Sequence, residues 1–272
     1  MISLTNSKGI SASIRRTILA FGREENYRSF GLPLDIRMRI AIRMLDRLPN
    51  SLTLCEIGCH SGEQTRVVID QAMKAGIAIN QMTLIEPSKG VLAALAPATN
   101  SIQVRLLEGT LEERIVEMPR NYFDLIYAIG SMEYVDNFQL YVEELILRLR
   151  QGGKIFFTMN AVPFFRRILL LSSSLAALAI SFTIGLDVVS GLGVALFVPF
   201  LTLYLVLCLR TRRRLSPYNF SIGVIHSLIF STRSYSKLSR KKAEWLATQL
   251  GERVYGIEDA IFPLWLFEIT KR

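Results

Sequence analysis

Histidine and cysteine are scarce in this chain of 272 residues: His60 and His226 are its only imidazoles, and three cysteines give an odd count. Neither supports a metal centre or a disulfide framework. Cys55-x-x-x-Cys59 is not a zinc-knuckle spacing and Cys208 lies in an apolar run, so all three read as reduced, buried thiols and no metal is expected. The opening residues Met1 to Glu25 lack a continuous apolar stretch of signal-peptide length, so no secretory signal is expected. Acidic residues are missing between Asp187 and Glu244, and charge of either sign is missing from 168–186 and again from 188–209. Hydrophobic residues make up 50% of the chain, above the soluble norm, and the net charge is +9.

What is present is organised around Leu54 to Thr65, LCEIGCHSGEQT, where an apolar strand enters a small-residue turn and then a helix. Glu56, Gly58 and Gly62 give the spacing E-x-G-x-x-x-G, and glycine supplies the positive φ and close backbone approach that so short a strand-to-helix passage needs. A dinucleotide fingerprint starting at Gly58 would need glycine where His60 and Glu63 stand. Glu63 in the first helical turn would also repel a pyrophosphate.

Apolar periodicity predicts a helix over Pro33–Leu48, a strand over Thr53–Ile57, a helix over Gln64–Ala75 and a strand over Met82–Ile85 closing on Glu86-Pro87. Strand, helix, strand in this order favours a parallel sheet with right-handed crossovers. The Glu86 carboxylate at the second strand's tip can accept two hydrogen bonds from the vicinal hydroxyls of a ribose. A helix over Lys89–Ala96, a strand over Gln103–Leu107, the turn Glu108-Gly109-Thr110, a strand from Phe123, a helix over Gln139–Leu149 and a strand over Lys154–Met159 follow. Near the end, Arg240–Leu250 reads as a helix, and Arg253–Ile257 and Leu264–Ile269 as two strands. Ile10, Ile14, Ile18 and Phe21 place an amphipathic helix in the N-terminal segment, a domain-edge helix, substrate lid or membrane-surface anchor.

The 54–65 stretch resembles motif I of the class I S-adenosylmethionine-dependent methyltransferases, with His60 where the middle glycine of their acidic-x-G-x-G-x-G usually falls. FDLIYAIGSMEYVD, 123–136, resembles their fourth strand and following loop, with Glu133-Tyr134-Val135 where many members read glutamate-histidine-valine. Gln139–Leu149, Arg150-Gln-Gly152-Gly153 and Lys154–Met159 resemble the family's helix, glycine turn and fifth strand, and the resemblance covers about 35–160 and 240–272. It implies a Rossmann-like α/β fold with a mostly parallel seven-stranded sheet and S-adenosylmethionine as cofactor. Glu56 and the backbone around Gly58, Cys59, His60 and Gly62 would hold its methionine part, Glu86 with Pro87 its ribose, and Ile129 to Met132, with Ile129 and Gly130 as the contact residues, would form the cleft floor beside the methyl sulfonium. Thr110 takes the position where the family often carries an acid for the adenine amino group, so Glu108 or the backbone would have to substitute. Tyr134 and His226 are the candidate catalytic residues, each with a structural reading beside it.

Between the fifth strand and the closing pair, the two charge-free runs are each about 30 Å long as helices, matching a bilayer core. Asp187 falls at the turn between them. Arg166 and Arg167 precede the pair and Arg210, Arg212, Arg213 and Arg214 follow it, which places both ends and the catalytic domain on the cytoplasmic side. The alternative is a buried helical hairpin or an oligomer core. Arg233, Lys237, Arg240, Lys241 and Lys242 extend the basic run, whose expected partner beside a membrane is anionic lipid headgroups rather than nucleic acid.

The expected layout is an N-terminal amphipathic segment, 1–32; a first core part, 33–163; a two-helix transmembrane hairpin, 164–215; and a last core part, 216–272. The expected protein is a membrane-anchored methyltransferase acting on a lipid or membrane-associated small molecule, with self-association left open. Two other readings are a non-catalytic membrane scaffold and a nucleic-acid methyltransferase; the latter lacks an N-P-P-Y-type motif, since Gly130-Ser131-Met132-Glu133 stands there.

Overall fold

The structure, a computed structural model, describes residues 32–60, 62–87, 102–132, 135, 138–160, 253–257 and 264–272, with single helical positions at 190, 194, 198, 201, 244 and 248. The N-terminal amphipathic segment, the helix over Lys89–Ala96, Tyr134 and His226 lie outside these residues, as do the apolar hairpin and the helix over Arg240–Leu250 apart from those single positions. Among the described residues no helix is long and apolar enough to cross a membrane.

Helix α1, Leu34–Leu45, begins behind Pro33, whose ring presets the backbone angle, and carries Asp35 in its first turn and Arg43 in its last, both favourable to the helix dipole. It stops three residues before the predicted end because Asp46 is extended and Arg47 takes a left-handed φ of 59°. Strand β1, Ser51–Ile57, then leads through the glycine turn into helix α2, Glu63–Lys74. Gly76 at φ 70° closes α2: its N–H bonds the Met73 carbonyl and the Ile77 N–H bonds the Ala72 carbonyl.

Strand β2, Ala78–Glu86, is longer than its apolar half predicted, because the first half alternates exposed and half-buried positions while Met82 onward is buried. Strand β3 spans Gln103–Glu108; a short helix α3, Leu111–Arg114, and a 3-10 turn, Ile115–Glu117, lead to strand β4, Phe123–Ala128. Helix α4, Phe138–Arg148, is followed by strand β5, Leu149–Asn160, and strands β6, Arg253–Ile257, and β7, Leu264–Thr270, complete the sheet. Gly152-Gly153, expected as a turn, lies within β5, where the β4 register shifts between Phe123 and Leu125. A Cβ on Gly153 would stand 2.9 Å from the Phe123 carbonyl oxygen, so only glycine lets the strands pass so closely.

The seven strands form one sheet in the order β3-β2-β1-β4-β5-β7-β6. Neighbours from β3 to β5 are parallel, and β7 is antiparallel to both β5 and β6. The chain builds outward from β1 to β3 and then returns to β4, which puts the topological switch point between β1 and β4. In an open α/β sheet, ligands bind outside the carboxyl ends of the strands at that point.

Both faces of the sheet are covered. Leu52, Leu54, Leu84 and Tyr127 pack toward Ile40 of α1 and Val68 of α2, whereas Cys55, Ile57, Ile126 and Phe157 join the cluster that includes Val142 and Leu145 of α4. Each fully buried aliphatic side chain contributes about 1.5–3 kcal/mol, so these two layers fix the strand tips on which the site is built.

Candidate functional site

The carboxyl ends of β1, β2 and β4 bring Glu56, Gly58, Cys59, His60, Gly62, Glu86, Ile129 and Gly130 into one region. Of the four described residues from 58 to 62, three have left-handed backbones: Gly58 at φ 71°, His60 at 49° and Gly62 at 70°. The turn is sewn down by the Gly58 N–H on the Ile85 carbonyl at 2.8 Å and the Gly62 N–H on the Cys59 carbonyl at 2.8 Å. His60, where the resembled motif has glycine, donates its backbone N–H to Glu86 Oε2 at 3.0 Å, a bond between the turn and the β2 tip. Gly109 donates to the Glu86 carbonyl at 3.1 Å, which adds the β3 turn to the same anchor. Pro87 follows half-buried.

Glu56 departs from the expected role. Its side chain is 2% exposed, and Oε2 accepts the hydroxyls of Thr65 at 2.5 Å and Tyr127 at 2.8 Å. Burial pushes its carboxyl up from the ordinary 4.5 to about 7, although both hydroxyl bonds pull the other way. The carboxyl therefore pins α2 to β1 and β4 from inside rather than facing the crevice. Tyr127 and Thr65 escaped the sequence reading; a tyrosine within the apolar strand FDLIYA, beside a strand carrying a buried acid, was the available signal.

Burial lowers the His60 imidazole to about 4, with the Arg37 charge adding to the effect, so the ring is neutral at pH 7. Glu63, whose charge in the first turn of α2 was expected to repel a pyrophosphate, is ion-paired with the nearly buried Arg37 of α1. Desolvation pushes the Cys55 and Cys59 thiols well above their ordinary value, so both are protonated and inert.

Thr110 caps the short helix that follows β3. Its hydroxyl accepts the Glu113 N–H at 3.4 Å and its own N–H bonds Glu113 Oε2 at 3.0 Å, a reciprocal cap on α3. Arg114 Nε bonds the Glu108 carbonyl at 2.6 Å, so the β3 turn is held largely by its own residues.

On the β4 side, Gly130 turns the chain at φ 73° with open space where a Cβ would lie. Its N–H bonds Thr158 Oγ1 of β5 at 2.8 Å, and Ser131 Oγ donates to the Ile57 carbonyl at 2.6 Å. Thr158 was missed and Ser131 was read only as part of the cleft floor, because only the tertiary fold brings β5 and the β4 loop to the end of β1.

Residues 55–157 match the protein family described as Methyltransferase domain. No protein of curated function matches the chain. The N-methyltransferase NodS from Bradyrhizobium japonicum WM9, solved with S-adenosyl-L-homocysteine, is 12% identical with a TM-score of 0.50, over 95% of this chain and 96% of that one. The DhpI–SAM–HEP complex is 14% identical with a TM-score of 0.52, over 97% of this chain and 99% of that one. At these identities the likeness shows the fold. The chain spans about half the length of the first solved structures it matches, such as 55% of a methyltransferase from Mesorhizobium loti at 20% identity and a TM-score of 0.39. The matched domain over 55–157, the seven-stranded order and the switch-point turn together give the chain the Rossmann-like fold of the class I methyltransferases, with 55–157 similar to the methyltransferase-domain family.

Proposed function

We propose that this protein binds S-adenosylmethionine across the carboxyl ends of β1, β2 and β4 and transfers its methyl group to a lipid or membrane-associated small molecule. The observation that carries the cofactor reading is Glu86, buried at the β2 tip and tied to the turn through the His60 N–H. The residues fit a cationic, ribose-containing ligand. Glu86 supplies carboxylate oxygens suited to ribose hydroxyls, His60 is neutral at pH 7 and adds no charge against a sulfonium, and Gly130 leaves open space on the β4 side.

When bound, S-adenosylmethionine supplies an already activated methyl for in-line displacement. The chain's part is therefore alignment, with a base required only where the acceptor must lose a proton. The turn 58–62 and the loop 129–131 form the walls of the crevice, and Glu86 sets the ligand's position along it. Glu56 acts on that wall from behind, through Tyr127 and Thr65.

The membrane part of the proposal rests on the sequence: two charge-free runs flanked by arginines, followed by a stretch without acids that suits anionic headgroups. Retention of the full chain in the bilayer after alkaline carbonate extraction is the expected result. Release into the supernatant would remove the anchor and the argument for a lipid acceptor.

The cofactor reading is tested by calorimetric titration of S-adenosylmethionine and S-adenosylhomocysteine into detergent-purified protein beside Glu86→Ala. Saturable binding to the wild type, weakened more than roughly tenfold in the variant, is expected for loss of a charged hydrogen-bonding group. No binding to well-folded wild type would favour the scaffold reading, with which the self-capped Thr110 and internally bonded Glu56 are compatible.

A further inference from the structure

The parallel ladder between β1 and β4 pairs Leu54 with Leu125, Cys55 with Ile126 and Glu56 with Tyr127, and there it ends. One residue further along β1, the Ile57 carbonyl is bonded by a side chain, the Ser131 hydroxyl, at 2.6 Å. Ser131 reaches it because Gly130 turns the loop at φ 73°, and because Gly58 has no side chain: a Cβ there would stand 2.5 Å from Ser131 Cβ. The space above Gly58 is thus filled by Ser131. On its other side the same loop is held by the Gly130 N–H on Thr158 Oγ1.

We propose that Ser131 is a positioning residue for the cofactor, fixing the gap between the turn at Gly58 and the loop at Ile129–Met132 in which the methionine part of S-adenosylmethionine lies. The proposal rests on the methyltransferase reading and deepens it. The two ends of the ligand are served by different anchors. Glu86 at the β2 tip receives bonds from Gly109 of the β3 turn and from the His60 backbone of the 58–62 turn, and none of them passes through Ser131. The Ser131 bond crosses only the β1–β4 switch point, so its loss acts on the methionine end and spares the nucleoside end.

The test titrates three ligands into the full-length wild type and Ser131→Ala: S-adenosylmethionine, S-adenosylhomocysteine and 5′-methylthioadenosine, which keeps the nucleoside and thioether but lacks the amino-acid portion. The expected result is a roughly five- to tenfold weaker Kd for the first two and an unchanged Kd for the third. Ser131→Cys, similar in size and a weaker donor, is expected to fall between wild type and the alanine variant, and it carries the same comparison should the alanine variant misfold. An equal loss for all three ligands would make Ser131 a general structural residue and overturn the proposal, as would no loss at all. Failure of the wild type to bind any of the three removes the methyltransferase reading itself, an outcome separate from a wild type that binds and a variant that does not discriminate.

Discussion

The two ends of the sheet solve the same problem, ending parallel strands beside one another, with different chemistry. At the amino end, Asp124 of β4 accepts the Thr53 N–H at 2.7 Å and an Arg150 guanidinium at 3.1 Å, joining β1, β4 and β5 through one carboxylate. Lys271 adds its ammonium to Asn121 Oδ1 and to the Leu149 carbonyl. At the carboxyl end the strands are joined by hydroxyls and by backbone N–H groups on Glu86, around three left-handed residues. At the amino end the strands are joined by charged side chains, whereas at the carboxyl end the bonds from strand to strand are made by hydroxyls and backbone N–H groups.

The sharpest way to break this comparison is Gly58→Ala. The substitution forces a Cβ onto a backbone at φ 71° and into Ser131. A loss of about 3 kcal/mol in urea unfolding is expected from the left-handed strain and overpacking together, with cofactor binding abolished in the fraction that remains folded. Retained binding would mean that the carboxyl end tolerates remodelling and is not the site.

Asp124→Ala should act at the opposite end only. It leaves the buried Thr53 N–H without its acceptor, and a loss of about 2 kcal/mol is expected, most of it from that N–H because Arg150 is half exposed. Ligand affinity per folded molecule should be unchanged. A joint loss of stability and affinity would show that the two ends are coupled.

The smallest effect sharpens the contrast through pH. Glu56, raised to about 7, holds a proton in the folded protein that the unfolded chain releases above 4.5, so its contribution is full at low pH and is lost as pH rises through 7. His60 runs the other way: lowered from 6.5 to about 4, it contributes fully above 6.5 and loses that contribution as pH falls toward 4. Glu56→Gln keeps an acceptor for Tyr127 and Thr65 and removes only the first term. Between about pH 6 and pH 8 its stability relative to wild type should improve by about 1 kcal/mol in parallel denaturant titrations. A constant difference across that range would show that Glu56 is ionised in the folded state.

The fold was largely legible because its signals are local. Apolar strands, amphipathic helices and the glycine turn at 58–62 each declare themselves within a dozen residues. What was misread had its cause far away in the chain. Gly152-Gly153 looked like a turn but accommodates the passage of β4, and Glu56 looked like a crevice acid but is bonded by Tyr127, seventy-one positions on. The strand tips were visible in the sequence, and the direction in which each side chain spends its hydrogen bonds was not.

By itself the amino-acid sequence determined the α/β class, the parallel core, the switch-point turn and Glu86 as the acid of the second strand, because periodicity and glycine spacing constrain the backbone locally. Only the tertiary structure decided that Glu56 is an internal pin, that Glu63 is paired with Arg37, and that Ser131 fills the space above Gly58. These depend on which strands become neighbours, and in a sheet ordered β3-β2-β1-β4-β5-β7-β6 the partners of β1 lie on either side of it, one of them distant in sequence.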